Sequence, residues 1–213
     1  LQAISGGRAV LGIGRGDSAL AYLGHRPVAT SRFETAVTHL QTLLSGGEVS
    51  FEDFGVSGDA GSVHDLSLGE RPSGVKLAWL PEGLPKVPLD VAATGPRVIA
   101  AGARMAERLT LSVGAQPERM EWALGTARAA RQGLGMGDAG ISYGAQLLVI
   151  CNNDTDKALD TAMRVAPPLV RFQVMDGASA GPRDEEAQRN LDAVHSGYDM
   201  NSHADMTATD RIK

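Results

Sequence analysis

Two runs of residues have the types and spacing that chemistry needs. The first, Val10-Leu11-Gly12-Ile13-Gly14-Arg15-Gly16-Asp17-Ser18, is a short apolar strand that breaks into alternating glycines and leaves a charged pair at its end. The second, Val91-Ala92-Ala93-Thr94-Gly95-Pro96-Arg97, is an apolar strand that turns through Gly95 and Pro96 into the start of a helix. In Ala93, Thr94, Gly95, Pro96 and Arg97 the small residues let a ligand approach the backbone, and the free N–H groups of a helix start attract an anion. Thr94 adds a hydroxyl, and Arg97 offers a charge-assisted bond to phosphate. The same five residues also describe an ordinary βα turn, with Gly95 there for geometry and Arg97 solvated. Asp17 lies just past a strand end, where parallel α/β folds keep their chemistry. It reads equally as a turn carboxylate paired with Arg15.

Other motifs fall short. From Gly12, a dinucleotide fingerprint needs its last glycine at position 17, which is Asp17, and the third glycine comes one residue early at Gly16. No Gly-Lys-Ser/Thr follows to make a P-loop. Arg15-Gly16-Asp17 spells a cell-adhesion tripeptide, a match of three residues beside a buried strand. The histidines His25, His39, His64, His195 and His203 show no metal spacing, so no metal site is expected. Cys151 follows Leu147-Leu148-Val149-Ile150 and reads as a buried structural thiol.

Strands and helices must position these turns. Residues 8–13 form the first strand. Ser31 and Glu34 spell a capping box for a helix carrying Phe33, Val37, Leu40 and Leu44, with Gly46 suited to the left-handed position after it. Residues 48–74 are polar, Gly-rich and acidic, an excursion that the prolines at 81, 85 and 88 extend to about residue 88. Within it Val75, Leu77 and Trp79 alternate as in a half-buried strand. Leu89–Ala93 is the next core strand, and Pro96 opens a helix to about Arg108. Leu109–Ser112 is the third strand. A helix from Pro117 follows, with Met120, Leu124 and Ala127 on one face. Gln146–Ile150 is the fourth strand. Asp154 or Thr155 caps another helix, ended by Pro167-Pro168, and a last amphipathic helix runs from Arg183 to Tyr198. Strands alternating with helices predict an α/β fold with a parallel sheet. Four strands are too few for a closed barrel of eight, so the sheet is open or part of a barrel.

A chain of 213 residues is ordinarily one domain, and its formal charge of −5 argues against nucleic acid as partner. No apolar run approaches the ~20 residues that cross a bilayer. A lone cysteine fits a reducing compartment, and the cytoplasm is expected. The start at Leu1, with a strand soon after, reads as a segment of a longer protein.

With both turns in place, the chain resembles the bacterial-luciferase-like family of flavin- and deazaflavin-dependent oxidoreductases, in the branch of methylenetetrahydromethanopterin reductase. The matching text is Ile4-Ser5-Gly6-Gly7-Arg8 leading into Leu11–Asp17, then Phe33-Glu34 with the helix ending Leu43-Leu44-Ser45-Gly46, then Val91–Pro96, and finally Leu111-Ser112-Val113-Gly114. The resemblance implies a TIM (β/α)8 barrel, here partial and lacking its first three strands, with residues 1–213 as one domain. It implies coenzyme F420 or FMN as cofactor, with the phosphate at Ala93, Thr94, Gly95, Pro96 and Arg97. Gly14 and Gly16 would line the ring, with Arg15 between them also counted as cofactor-binding, Asp17 would serve proton transfer, and Ser112 would add a hydroxyl. The activity implied is hydride transfer between the cofactor and a small organic substrate, in a protein that forms homo-oligomers. The alternatives are an FMN-dependent monooxygenase using oxygen, or a binding relative without cofactor. Arg15 stands where other members often have Thr or Pro, and Thr94 replaces a glycine of the deazaflavin-dependent glucose-6-phosphate dehydrogenase pattern.

Overall fold

Alternate residues of a strand face opposite ways, and Leu89-Asp90-Val91-Ala92-Ala93 shows what that does here. Leu89, Val91 and Ala93 are buried, whereas Asp90 and Ala92 are not. In the computed structural model, described for residues 1–16, 18–54, 67, 69, 72–80, 82–174, 179–203 and 205, this strand is central to a parallel sheet. The elements are, in order, β1 (Leu11–Ile13), α1 (Ser18–Tyr22), α2 (Thr30–Leu44), β2 (Glu48–Ser50), β3 (Gly74–Lys76), β4 (Leu89–Ala93), α3 (Pro96–Met105), β5 (Arg108–Leu111), α4 (Pro117–Gln132), β6 (Ser142–Ala145), α5 (Thr155–Val170) and α6 (Glu185–Gly197). Short 3-10 turns follow at Arg171–Gln173 and Met200–Ser202. The sheet runs β1-β4-β5-β6, and β2 pairs with β3 apart from it.

One face of the sheet carries the core. Leu89, Val91, Leu109 and Leu111 pack there against Phe33 and Val37 of α2, Val98, Ile99 and Ala103 of α3, and Ala123 and Ala127 of α4. Gly102 permits the contact between α3 and the sheet. A Cβ at that position would stand 2.8 Å from both Leu109 Cδ1 and Val91 Cγ1. The opposite face bears small and polar residues in rows set by the register. Gly12, Asp90, Arg108 and Ser142 form one row, and Ala92, Thr110 and Gly144 the next. Thr110 Oγ1 donates to Asp90 Oδ1 at 2.9 Å, and Arg108 Nε lies 3.6 Å from Asp90 Oδ2.

At the N-terminal ends of the strands, Glu107 gathers α2, β4 and β5. Its carboxylate accepts from the Leu89 N–H at 2.9 Å and from Gln41 Nε2 at 3.2 Å, and it pairs with Lys86 Nζ at 2.9 Å. Burial pushes this carboxyl up, but the bonds from Leu89, Lys86 and Gln41 together outweigh it and hold Glu107 below its ordinary value.

Several sequence expectations shift. Helix α2 begins at Thr30 after Ala29, with no side-chain cap. Ser31 lies inside it, and Glu34 accepts instead from Arg104 Nη2 of α3 at 2.8 Å, a stronger charge-assisted partner than the helix start. Strand β3 stops at Lys76 because its partner β2 is only three residues long, so Trp79 is 75% exposed. Helix α3 ends at Met105, and Arg108 opens the next strand. In α4 the buried residues are Arg119, Ala123, Ala127 and Arg131, while Met120 and Leu124 are only partly buried.

The fourth core strand is Ser142–Ala145, earlier than Gln146–Ile150. Strand β5 offers an edge only as far as Leu111, whose carbonyl takes the Gln146 N–H at 2.9 Å. Beyond that rung the run Leu147–Val149 is exposed, and so is Cys151. Pro167 and Pro168 lie inside α5. A proline φ is itself helical, and the Arg171 N–H still reaches the Pro167 carbonyl. Asp154 caps α5 as expected, accepting from the N–H groups of Asp156 and Lys157. The last helix is α6, with Leu191 and Val194 buried.

Candidate functional site

The C-terminal ends of β1, β4 and β5 open into one cleft of about 1060 Å³. Parallel α/β sheets present their ligand sites at that end. The structure brings together on this cleft Gly14, Arg15, Gly16, Ala93, Thr94, Gly95, Pro96, Arg97 and Ser112, the nine residues singled out in the sequence as cofactor-binding. Asp17 lies outside the described residues.

The Ala93–Arg97 turn forms the cleft's anion-seeking wall. Gly95 precedes α3 with φ −97°, a conformation open to any residue, and Pro96 follows in the first turn. A Cβ on Gly95 would meet nothing within 4 Å, so the space above the helix start is open. The first-turn N–H groups of a helix have no partner within it, and no side chain caps this one. Arg97 is exposed beside them.

On the β1 side, Gly16 has φ +76°, and a Cβ there would also press to 2.9 Å on Leu20 Cδ1. Glycine is therefore required for the turn itself. Arg15 donates through Nε to the Val28 carbonyl, which ties the loop before α2 to the cleft wall and orients the guanidinium. Gly14 faces Ala92, with a Cβ position 4.0 Å from that methyl, so this part of the cleft carries no bulky side chain.

The far wall contains residues that the sequence reading missed. Ser112 Oγ donates to Gln146 Oε1 at 3.2 Å. Arg119, 4% exposed, donates through Nε to Val113 O at 2.9 Å and through Nη1 to Pro182 O at 3.3 Å. Burial first, then the neighbouring Arg183, pulls the Arg119 guanidinium below its usual value. Ser179 also lines the cleft, and its buried Oγ has no hydrogen-bond partner. A correct register for β6 would have flagged Gln146 as a strand-end residue. Arg119 and Ser179 carry no local signal, because a buried arginine looks in sequence like any helix-surface cation.

Arg15, Arg97 and Arg119 line the cleft, and no carboxylate does among the described residues. Nor do the described residues contain a group of three or more His, Cys, Asp or Glu able to hold a metal ion. The arrangement offers cationic and hydroxyl donors around an open helix start, which suits an anionic organic ligand with a flat portion against Gly14 and Ala92.

The family model described as luciferase-like monooxygenase matches residues 1–213. A solved F420-dependent secondary alcohol dehydrogenase, in complex with an F420-acetone adduct, is similar with TM-score 0.62 and 18% identity, over 91% of this chain and 55% of that one. The coenzyme F420 dependent tetrahydromethanopterin reductase from Methanopyrus kandleri is similar with TM-score 0.51 and 20% identity, over 96% and 59%. The chain thus spans a little over half the length of these two structures. At such identities the likeness is one of fold, and the four parallel strands are consecutive staves of a partial TIM barrel. No described helix is long and apolar enough to cross a membrane.

Proposed function

Because the chain belongs to the luciferase-like monooxygenase family, we propose that it is the cofactor-holding part of an oxidoreductase that transfers a hydride between coenzyme F420 and a small organic substrate. The observation that supports this most is the convergence on one cleft of Gly14, Gly16, the Ala93–Arg97 turn and Ser112. The donors fit the group: an open space over Gly95, uncapped N–H groups at the start of α3, and Thr94, Arg97 and Ser112 on the cleft lining. In this reading Thr94, Gly95 and Arg97 hold the cofactor's phosphate. Gly14, Arg15 and Gly16 would line the ring, and Ser112 with Gln146 would offer polar groups from the far wall. When bound, the cofactor supplies the hydride chemistry. Asp17, as the family resemblance implies, would hold or move a proton. Residues 1–213 act as one domain, with the β2–β3 pair apart from the four-stranded sheet and much of the 48–88 excursion outside the described residues, in a cytoplasmic homo-oligomer.

A second reading is an FMN-dependent monooxygenase, favoured by the family's own description. The test is equilibrium binding of coenzyme F420 and of FMN to the purified protein carrying this chain, followed by turnover with and without oxygen. Tighter binding of coenzyme F420 with oxygen-independent turnover is the expected result. Turnover with FMN alone, consuming oxygen stoichiometrically, assigns the monooxygenase. Failure to bind either cofactor leaves a binding relative.

A further inference from the structure

Behind the cleft, and sharing Arg119 and Gln173 with it, lies a smaller cavity of about 200 Å³ whose wall also includes Arg183 and Asn190. Two guanidinium groups therefore face a common space. Arg119 sits in the first turn of α4, and Arg183 stands just before Asp184, the N-cap of α6. Both helix starts add positive potential there. Like charges held together in a partly buried space cost free energy unless an anion joins them. None of the described carboxylates does so. Asp184 is committed to capping α6 through the Ala187 N–H at 2.7 Å, and Glu185 pairs with Arg189 at 3.8 Å. The Arg183 Nη1 is buried with no hydrogen-bond partner, as is the Ser179 Oγ on the cleft side. Burial foremost, and only then the neighbouring Arg183, pulls the Arg119 guanidinium below its usual value.

We propose that Arg119 and Arg183 form a second anion site, distinct from the Ala93–Arg97 turn, that takes a carboxylate or phosphate group. Its occupant is a second anionic group of the ligand whose first phosphate the turn holds, a clause that rests on the proposed function. Such a site selects ligands carrying two separated anions over those carrying one.

Inorganic phosphate is the first probe, followed through the arginine Nε–H and backbone amide resonances of the purified protein. Phosphate should shift Arg119 and Arg183 as well as the Gly95 amide. Among the described residues Arg183 makes no hydrogen bond or ion pair, so Arg183→Met can be made without breaking one. That variant should abolish the Arg119 response and leave the Gly95 response, and Arg183→Lys should retain part of it. The second probe is coenzyme F420 with and without its glutamate tail. Arg183→Met should weaken binding of the tailed form at least fivefold and leave the tail-less form unchanged. An unchanged Arg119 response to phosphate in Arg183→Met overturns the site. Loss of that response with both cofactor forms bound as tightly as before assigns the site to free phosphate and overturns the ligand clause. If neither cofactor form binds, the proposed function fails, and the phosphate titration alone decides the site.

Discussion

Ser112 and Gln146 join the ends of two neighbouring strands across the cleft, the serine Oγ 3.2 Å from the glutamine Oε1. Ser112 follows β5 and Gln146 follows β6, and both line the cleft. With its carbonyl engaged by Ser112, the Gln146 amide is turned so that its two N–H groups are the ones left to donate. Ser112→Ala should loosen that orientation and weaken cofactor binding severalfold. The bond is solvent-exposed, so stability should change by about 1 kcal/mol or less. Urea unfolding beside a fluorescence titration separates the two effects.

Gly95→Asp puts a carboxylate at the helix start, where it competes with a phosphate for the same N–H donors. A Cβ there meets nothing within 4 Å, so the fold should tolerate it. Cofactor affinity should fall at least tenfold, about 1.4 kcal/mol. Unchanged affinity with an intact circular dichroism spectrum would place the phosphate elsewhere.

Asp17→Asn keeps the side chain's shape and removes its titrating proton. If Asp17 serves as the acid or base, turnover should drop about a hundredfold or more while cofactor affinity holds. Single-turnover reduction measured beside equilibrium binding checks this, and equal losses in both would assign Asp17 to the turn instead.

Glu107 predicts an acid limb of stability. Although burial raises its pKa, the bonds from Leu89, Lys86 and Gln41 prevail and lower it. A carboxyl depressed in the folded state contributes stability that is present above the unfolded value, about 4, and is lost as pH falls through the folded one. Glu107→Gln should flatten that dependence and lower stability at neutral pH. Urea midpoints at pH 7, 4 and 3 for both proteins test it, and identical slopes would sink the assignment.

Strands β1 and β6 are the edges of the four-stranded sheet, and the exposed run Leu147–Val149 lies just past β6. Open edges of a parallel sheet, with one face left small and polar, invite pairing with another chain. Residues 1–213 on their own should self-associate in sedimentation experiments and show no single sharp urea transition. A monomeric, cooperatively unfolding species would contradict this.

Periodicity and turn chemistry alone determined most elements. Phe33, Val37, Leu40 and Leu44 marked α2, Leu89–Ala93 marked β4, and Asp154 marked the start of α5, because helical and strand spacing and a capping carboxylate are local properties. The β1 and β4 turns of the cleft were legible for a similar reason, since each follows directly on an apolar strand. Only the tertiary structure decided the rest. Tyr143 and its neighbours, rather than the more apolar Leu147–Ile150, became β6, because register follows the edge that β5 presents between Arg108 and Leu111. The same slip exposed Cys151. Glu34 left the helix start for Arg104, and Arg119 came to lie buried between the Val113 and Pro182 carbonyls. Each depends on which groups from distant parts of the chain arrive within about 3 Å, and no local pattern encodes that distance.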